Sequence, residues 1–136
     1  MERYMGLDVG TKTVGVALSD PMFMIASAHK TIKRTNIQED IKALVDIVNE
    51  YEVSKIIVGM PYNMNNTIGP QAQRVMSFID LLKKELNNEF IYIDERMTTI
   101  SANRILIESN VRREKRKEHV DKIAATYILQ TYLDAR

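Results

Sequence analysis

The chain has 136 residues, with 19 lysines and arginines against 18 aspartates and glutamates, and it contains no cysteine. This length suits one domain, because two independent cores in so short a chain would each bury too little surface. The lack of cysteine excludes disulfides, thiolate zinc sites, iron–sulfur clusters and cysteine nucleophiles, and it is compatible with a reducing cytoplasm. No apolar run is long enough to span a bilayer and no segment resembles an export signal, so we expect a soluble cytoplasmic protein.

The first third of the chain predicts three strands, at residues 4–9, 14–19 and 25–32. Turn-forming residues separate them, with glycine at position 10 and an Asp-Pro pair at positions 20–21. We therefore expect a three-stranded antiparallel meander. Lys30, Lys33 and Arg34 form a small basic group that we interpret as the polar side of an edge strand.

Helices and strands alternate in the rest of the chain. Asn36 followed by Glu39 is a capping-box pattern, which predicts a helix to about residue 51. Residues 55–60 form a short β-branched apolar run, typical of a strand covered on both faces. Pro70 suits the start of a second helix. Further segments predict a strand at residues 90–94 and helices at residues 98–108 and 118–133.

This order of elements, βββαβαβαα, predicts an α/β fold. Three strands followed by strand–helix alternation imply a mixed five-stranded sheet with helices on both faces. In such sheets, ligands gather at the carboxyl ends of the strands. Residues at those ends are therefore the first candidates for function.

Three acidic residues are candidates for chemistry. Asp8 alternates with core residues in the first strand, where an unpaired carboxylate would be costly to bury. Glu95 follows a predicted strand directly after Asp94, and Asp121 borders the apolar stripe of the last helix. Each acid also has an ordinary interpretation, namely a turn cap for Asp8, solvated strand-end charges for the adjacent pair, and a surface ion pair for Asp121.

Together, these acids predict a metal site. Three carboxylates that converge at one sheet edge make an oxygen-only site of the kind that Mg²⁺ or Mn²⁺ prefers. Two such ions, about 4 Å apart, would activate a water and stabilise the leaving oxygen of a phosphodiester. Metal chemistry of this kind needs no histidine base, and we expect ordinary surface roles for His29 and His119.

The net charge of +1 means that binding to nucleic acid would require basic residues gathered in one place. Residues 112–117 form such a cluster, with five basic residues in six, predicted as a loop between helices. A solvated loop is the ordinary interpretation, and salt-dependent phosphate binding is the functional one. The predicted nucleic-acid-binding residues are Lys12, Arg96, Arg112, Arg113, Lys115, Arg116 and Lys117.

Five sequence blocks follow one another along the chain: GLDVGTKTVGVA from Gly6, VGMP from Val58, GPQAQRV from Gly69, DERMTT from Asp94 and DKIAA from Asp121. Together they resemble the YqgF/RuvX family, whose members are described as Holliday junction resolvases and as nucleases that mature the 5′ end of pre-16S ribosomal RNA. The resemblance covers essentially the whole chain. It implies a single RNase H-like nuclease domain over residues 1–136, a cytoplasmic location and divalent-metal-dependent phosphodiester hydrolysis.

Carried over position by position, the resemblance implies that Asp8, Glu95 and Asp121 are the catalytic acids that bind Mg²⁺ or Mn²⁺. Asp94 stands in the same block, and the sequence leaves the choice within this pair open, with Glu95 preferred. One departure concerns the loop after VGMP, where Asn65-Asn66 and Ile68 replace acidic residues and a glycine that are usual in the family. This departure puts substrate preference in question more than catalysis.

The implied partner is a structured RNA or a branched DNA, and no association with a membrane is expected. A homodimer would cut a four-way junction symmetrically, although no residue pattern here indicates one. A hypothesis from a different class is a nucleic-acid-binding module with weak or lost catalysis, acting in ribosome assembly or transcription. Metal-dependent cleavage of branched DNA or precursor RNA distinguishes the two hypotheses.

Overall fold

The computed structural model describes residues 1–62, 65, 67–94 and 113–136, and within residues 113–122 it describes only the helical backbone. The strands are β1 (Arg3–Val9), β2 (Thr13–Ser19), β3 (Ala26–Lys33), β4 (Val53–Met60) and β5 (Glu89–Asp94), and the helices are α1 (Ile37–Glu50), α2 (Pro70–Lys83) and α3 (Arg113–Ala135). These elements confirm the predicted ones except at the start of α3. The helix predicted at residues 98–108 lies outside the described residues.

The five strands form one mixed sheet in the order β3-β2-β1-β4-β5. The first three are antiparallel neighbours, which confirms the predicted meander, and β4 and β5 continue the sheet parallel to β1. The parallel strands β1, β4 and β5 therefore all end at one edge of the sheet, which we call the carboxyl edge, and begin at the opposite amino edge. The turn between β1 and β2 also lies at the carboxyl edge.

Alternation along the strands divides the core between the two faces of the sheet. Met5, Leu7 and Val9 of β1 pack in the larger cluster, together with apolar residues of α1 and α2. Tyr4 packs in a second cluster on the other face, which includes Ile128 and Leu129 of α3. The prediction of helices on both faces is confirmed.

The start of α1 shows half of the predicted capping box. The Asn36 side chain accepts a hydrogen bond from the Glu39 amide at 2.9 Å, as an N-cap residue should. The Glu39 carboxylate does not return this bond, because it accepts the hydroxyl of Thr35 at 2.8 Å instead. Of the helices that the structure describes, none is both long enough and apolar enough to cross a membrane.

The C-terminal half of α3 is fixed to the amino-edge half of the sheet. The Gln130 side chain accepts from the Ala26 amide at 2.8 Å and donates to the Met24 carbonyl at 3.0 Å. Lys55 of β4 donates to the Tyr132 hydroxyl at 3.1 Å, and this bond raises the pKa of the lysine. These contacts bind the end of α3 to β3 and to β4.

Candidate active site

Asp8 is a buried carboxylate in the middle strand of the sheet. The residue is 9% exposed, and it lies one residue before the end of β1. In the antiparallel pair its partner is Gly15 of β2, which places no side chain beside it. Strand alternation puts Asp8 on the same face as Tyr4 and Gly6, which is the face covered by α3.

The helix α3 runs antiparallel to β1 across this face. Tyr132 lies edge-on to Tyr4, with ring centroids 6.0 Å apart. A Cβ atom at Gly6 would lie 2.6 Å from the Ala125 carbonyl oxygen and 2.8 Å from the Leu129 Cβ. Only glycine therefore permits so close an approach. From Tyr4 towards Asp8, the facing residues of α3 thus come from progressively earlier in the helix.

Asp121 lies in α3, four residues and so one helical turn before Ala125. Its helical position continues the line of contacts that passes from Tyr132 through Ala125 towards the carboxyl edge. Its side chain is outside the part of the chain that the structure describes, as is that of His119. The structure therefore gives only the backbone position of Asp121.

Asp94, the last residue of β5, pairs with Met60 at the end of β4. Ile91 and Ile93 pack on the core beneath α3, whereas Phe90 and Tyr92 pack on the core beneath α1 and α2. Alternation therefore places Asp94 on the α1/α2 face, opposite to Asp8. Glu95 and Arg96 lie outside the described residues.

The predicted position of the basic cluster is wrong for most of its residues. Arg113, Lys115, Arg116 and Lys117 belong to α3, which begins at Arg113 and not at Glu118. Residues 113–122 lack the apolar periodicity that marks a buried helix, but lysine, arginine and glutamate are strong helix formers. Arg112 lies outside the described residues.

Lys12 is exposed in the β1–β2 turn, as predicted, and its carbonyl accepts the Arg34 amide at 2.9 Å. This turn is held further by the Arg34 side chain, whose Nη1 donates to the Gly10 carbonyl at 2.8 Å. The guanidinium also pairs with Asp40 of α1 at 3.1 Å and lies 4.9 Å from the centre of the Phe78 ring of α2.

The interpretation of Arg34 as part of a polar edge strand is therefore wrong. Lys30 and Lys33 do lie exposed on edge strand β3, but Arg34 follows that strand and turns inward to Asp40, which is 3% exposed. The signal in the sequence was an acid six residues after the arginine, at a helix start where an anion is favourable. Arg34 holds the turn that follows Asp8.

The predicted oxygen-only metal site is compatible with the part that is described. Asp8 offers hard carboxylate oxygens at the carboxyl edge, and no thiol competes because the chain has no cysteine. No three acidic or histidine residues among the described ones are grouped as metal ligands. His29 packs edge-on against the Tyr51 ring, with centroids 5.0 Å apart, at the amino edge. Its burial there, and then the Lys30 charge, lower the pKa of His29.

Comparisons with known proteins find relatives that are similar to this chain in sequence and solved structures that are similar in fold. Residues 2–135 match the RuvX family, described as Holliday junction resolvase. Two curated relatives are named "Putative pre-16S rRNA nuclease". The one from Clostridium tetani is 56% identical over 133 residues, covering 98% of this chain and 96% of the relative. The one from Thermoanaerobacter pseudethanolicus is 53% identical over 135 residues, covering 98% and 97%.

Among solved structures, T. thermophilus RuvC in complex with a Holliday junction substrate is similar with a TM-score of 0.63 and 12% identity, covering 100% of this chain and 96% of that one. The Fowlpox virus resolvase in complex with Holliday junction DNA has a TM-score of 0.58 and 13% identity, covering 98% and 97%. At these identities, the likeness concerns the fold, which is that of the RNase H-like resolvases. Because the family match spans residues 2–135, this chain belongs to the RuvX family of Holliday junction resolvases.

Proposed function

We propose that this chain is a divalent-metal-dependent endonuclease that hydrolyses phosphodiester bonds in structured nucleic acid. Its substrate is the 5′ end of pre-16S ribosomal RNA, branched DNA, or both, in keeping with the names of its relatives and family. The observation that carries the proposal is Asp8, a carboxylate buried at the carboxyl edge of an RNase H-like sheet, on the face that α3 crosses. Residues 1–136 form one nuclease domain in this proposal.

We propose Asp8, Glu95 and Asp121 as the acids that bind Mg²⁺ or Mn²⁺. The backbone position of Asp121, one turn from Ala125 on the antiparallel helix, supports its nearness to Asp8. Strand alternation argues against Asp94, because it places Asp94 on the α1/α2 face, opposite to Asp8, and Glu95 therefore remains the preferred acid of the pair.

In the proposed mechanism, the protein supplies position and charge. The chemistry that a bound divalent cation supplies is Lewis-acid activation of water and of the phosphate. Asp8 pairs with Gly15 of β2, and Leu7 before it pairs with Val58 of β4, so the sheet fixes the backbone that carries the carboxylate before any ligand binds. Arg34 fixes the turn that carries Lys12, which is exposed for contact with a phosphate.

We propose that seven basic residues hold the nucleic-acid backbone. Their charges attract phosphates without selecting a base sequence, so binding should weaken steeply with salt. The helical course of α3 favours this role, because it ties the cluster to the helix that also carries Asp121. The proposed contacts are Lys12, Arg96, Arg112, Arg113, Lys115, Arg116 and Lys117.

Asp8→Asn tests the catalytic proposal, because the amide keeps the shape of the side chain and loses its charge. Cleavage is measured on a four-way DNA junction and on a precursor-rRNA stem with a 5′ extension, each with Mg²⁺ or Mn²⁺. We expect cleavage by Asp8→Asn to fall by at least about a hundredfold with unchanged secondary structure. Asp46→Asn is the matched control, because Asp46 is exposed on α1.

Full activity of purified Asp8→Asn would overturn the endonuclease proposal. If the wild-type protein binds both substrates and cuts neither with either metal, the chain is the nucleic-acid-binding module of our alternative hypothesis. The two substrates also decide between RNA and DNA, since cleavage of only one of them assigns the activity. Sedimentation of the protein with the junction tests for a homodimer. The proposed cytoplasmic location rests on this substrate class and on the lack of cysteine.

A further inference from the structure

A groove of about 490 Å³ lies between α2 and the start of α1, on the face of the sheet opposite to Asp8. Its wall carries two arginines, Arg34 and Arg74, together with the polar side chains of Gln73 and Ser77. Apolar surface completes the lining, and includes Ile37, which is 47% exposed. No acidic residue is among the described residues that line the groove.

The groove continues to the carboxyl edge. A smaller cavity of about 20 Å³ shares Arg34 and Arg74 with the groove, and is lined on its other side by Gly10 and Thr11. This turn begins two residues after Asp8. A ligand in the groove would therefore lie next to the strand end at which we propose cleavage.

The charge of the groove comes chiefly from Arg74. The charge of Arg34 is balanced by Asp40, at 3.1 Å. Arg74 is exposed on α2 and forms no ion pair or hydrogen bond with another described residue. A positive groove that also offers amide donors and apolar surface is complementary to a sugar–phosphate backbone, which presents anionic oxygens beside apolar sugar and base faces.

We infer that the groove lined by Arg34, Gln73, Arg74 and Ser77 binds the sugar–phosphate backbone of a second segment of the nucleic-acid substrate. The inference rests on the proposed nuclease function and adds a second contact surface to it. One segment meets the α3 face, where the proposed metal ligands lie, and a second passes the β1–β2 turn to the α1/α2 face. A branched or folded nucleic acid supplies two such segments, whereas a short linear duplex supplies one.

The test compares Arg74→Gln with Lys84→Gln. Lys84 is exposed, carries the same charge and follows the C-terminal end of the same helix, and it is not among the residues that line the groove. Binding is measured by fluorescence anisotropy, with divalent metal chelated, on a four-way DNA junction, an RNA stem-loop with a 5′ extension, and a short linear duplex of each kind.

For Arg74→Gln, we expect the Kd of the branched DNA and of the extended stem-loop to rise about tenfold, and the slope of log K against log salt to become shallower by about 0.9 for duplex contacts. The linear duplexes and Lys84→Gln should change little. Arg74→Lys should restore most of the affinity. The DNA and RNA arms show which backbone occupies the groove.

A second pair of variants keeps the test independent of any effect of Arg74 on folding. Ser77→Glu places a negative charge in the groove, and Ser77→Gln adds a similar volume without charge. Only Ser77→Glu should weaken binding of the branched substrates.

Equal Kd values for Arg74→Gln and Lys84→Gln on every substrate would overturn the inference, as would weakening by both Ser77 variants alike. If these results accompany normal cleavage by the wild-type protein, the nuclease proposal stands and the groove has no part in it. If the wild-type protein neither binds nor cuts any of the substrates, the nuclease proposal itself fails.

Discussion

The two halves of α3 differ in composition and in their ties to the sheet. In residues 113–122, eight of ten side chains are charged. In the following half, four residues are fully buried: Ala124, Ala125, Ile128 and Leu129. Gln130 and Tyr132 also form hydrogen bonds with residues of β3 and β4. One half thus holds the helix in place, and the other carries the charges for which we propose a function. A helix anchored at one end can position charged groups at the other without burying them.

The largest effect should come from the anchored half. Leu129 is fully buried against the sheet, so Leu129→Ala should lower the free energy of unfolding by about 2–5 kcal/mol. Urea denaturation followed by circular dichroism measures this loss. Ile37→Ala is the control, because Ile37 is 47% exposed and its truncation should cost much less. Similar costs for both variants would show that α3 is not anchored as described.

Gly6→Ala tests the close approach of α3 to β1. The new Cβ would lie 2.6 Å from the Ala125 carbonyl oxygen, and overpacking of this kind costs about 1–3 kcal/mol. Because Asp121 lies on the same helix, we expect cleavage to fall by up to about a hundredfold at temperatures where the variant is folded. Gly10→Ala is the comparison, since its closest contact would be 3.0 Å. Unchanged cleavage by folded Gly6→Ala would show that catalysis does not depend on the close approach of α3 to β1.

Gln130→Ala should affect stability alone. It removes the bonds to the Ala26 amide and the Met24 carbonyl, and leaving such groups unpaired costs about 1–2 kcal/mol. Thermal unfolding measures the loss, and cleavage below the transition should remain at the wild-type rate. The neighbouring Thr131→Ala is the control, because the hydroxyl bonds to Tyr127 within the same helix. A large loss of cleavage by folded Gln130→Ala would contradict this division of the helix.

The smallest effect on stability should come from the charged half. The double substitution Lys115→Gln and Lys117→Gln should change the free energy of unfolding by less than about 0.5 kcal/mol. The same variant should bind nucleic acid more weakly, with a salt slope shallower by about 0.9 for each duplex phosphate that the protein no longer neutralises. Lys42→Gln is the control, because Lys42 is exposed on α1. An unchanged salt slope would show that Lys115 and Lys117 do not contact the nucleic acid.

Periodicity predicted most of the fold because apolar side chains define the buried faces. The strands were placed within about two residues, and the mixed sheet followed from the order of elements. The predicted start of α3 is wrong because residues 113–117 precede the apolar stripe of the helix. Only their helix propensity indicates that they are helical. The sequence also could not show that Gly6 faces Ala125, since this contact depends on how α3 lies across the sheet.

For the candidate site, the sequence identified Asp8 from a carboxylate among core residues. It leaves the choice between Asp94 and Glu95 open, because the face on which Asp94 lies depends on Tyr92 and Ile93 packing on opposite cores. The sequence groups Arg34 with the neighbouring lysines, because its partner Asp40 lies on another element and the acid six residues away is only a weak signal. Side chains that act across two elements leave little trace in a single sequence.

The ion pair between Arg34 and Asp40 has a consequence for how these positions change among relatives. Asp40 is buried, and it receives the Arg34 Nε and the Thr35 amide. A substitution of Arg34 alone would leave a buried charge without its counter-ion, which is strongly destabilising, and lysine would not reproduce the planar fork that also reaches Gly10. Natural variation should therefore replace the two residues together or retain both, so that positions 34 and 40 covary among relatives.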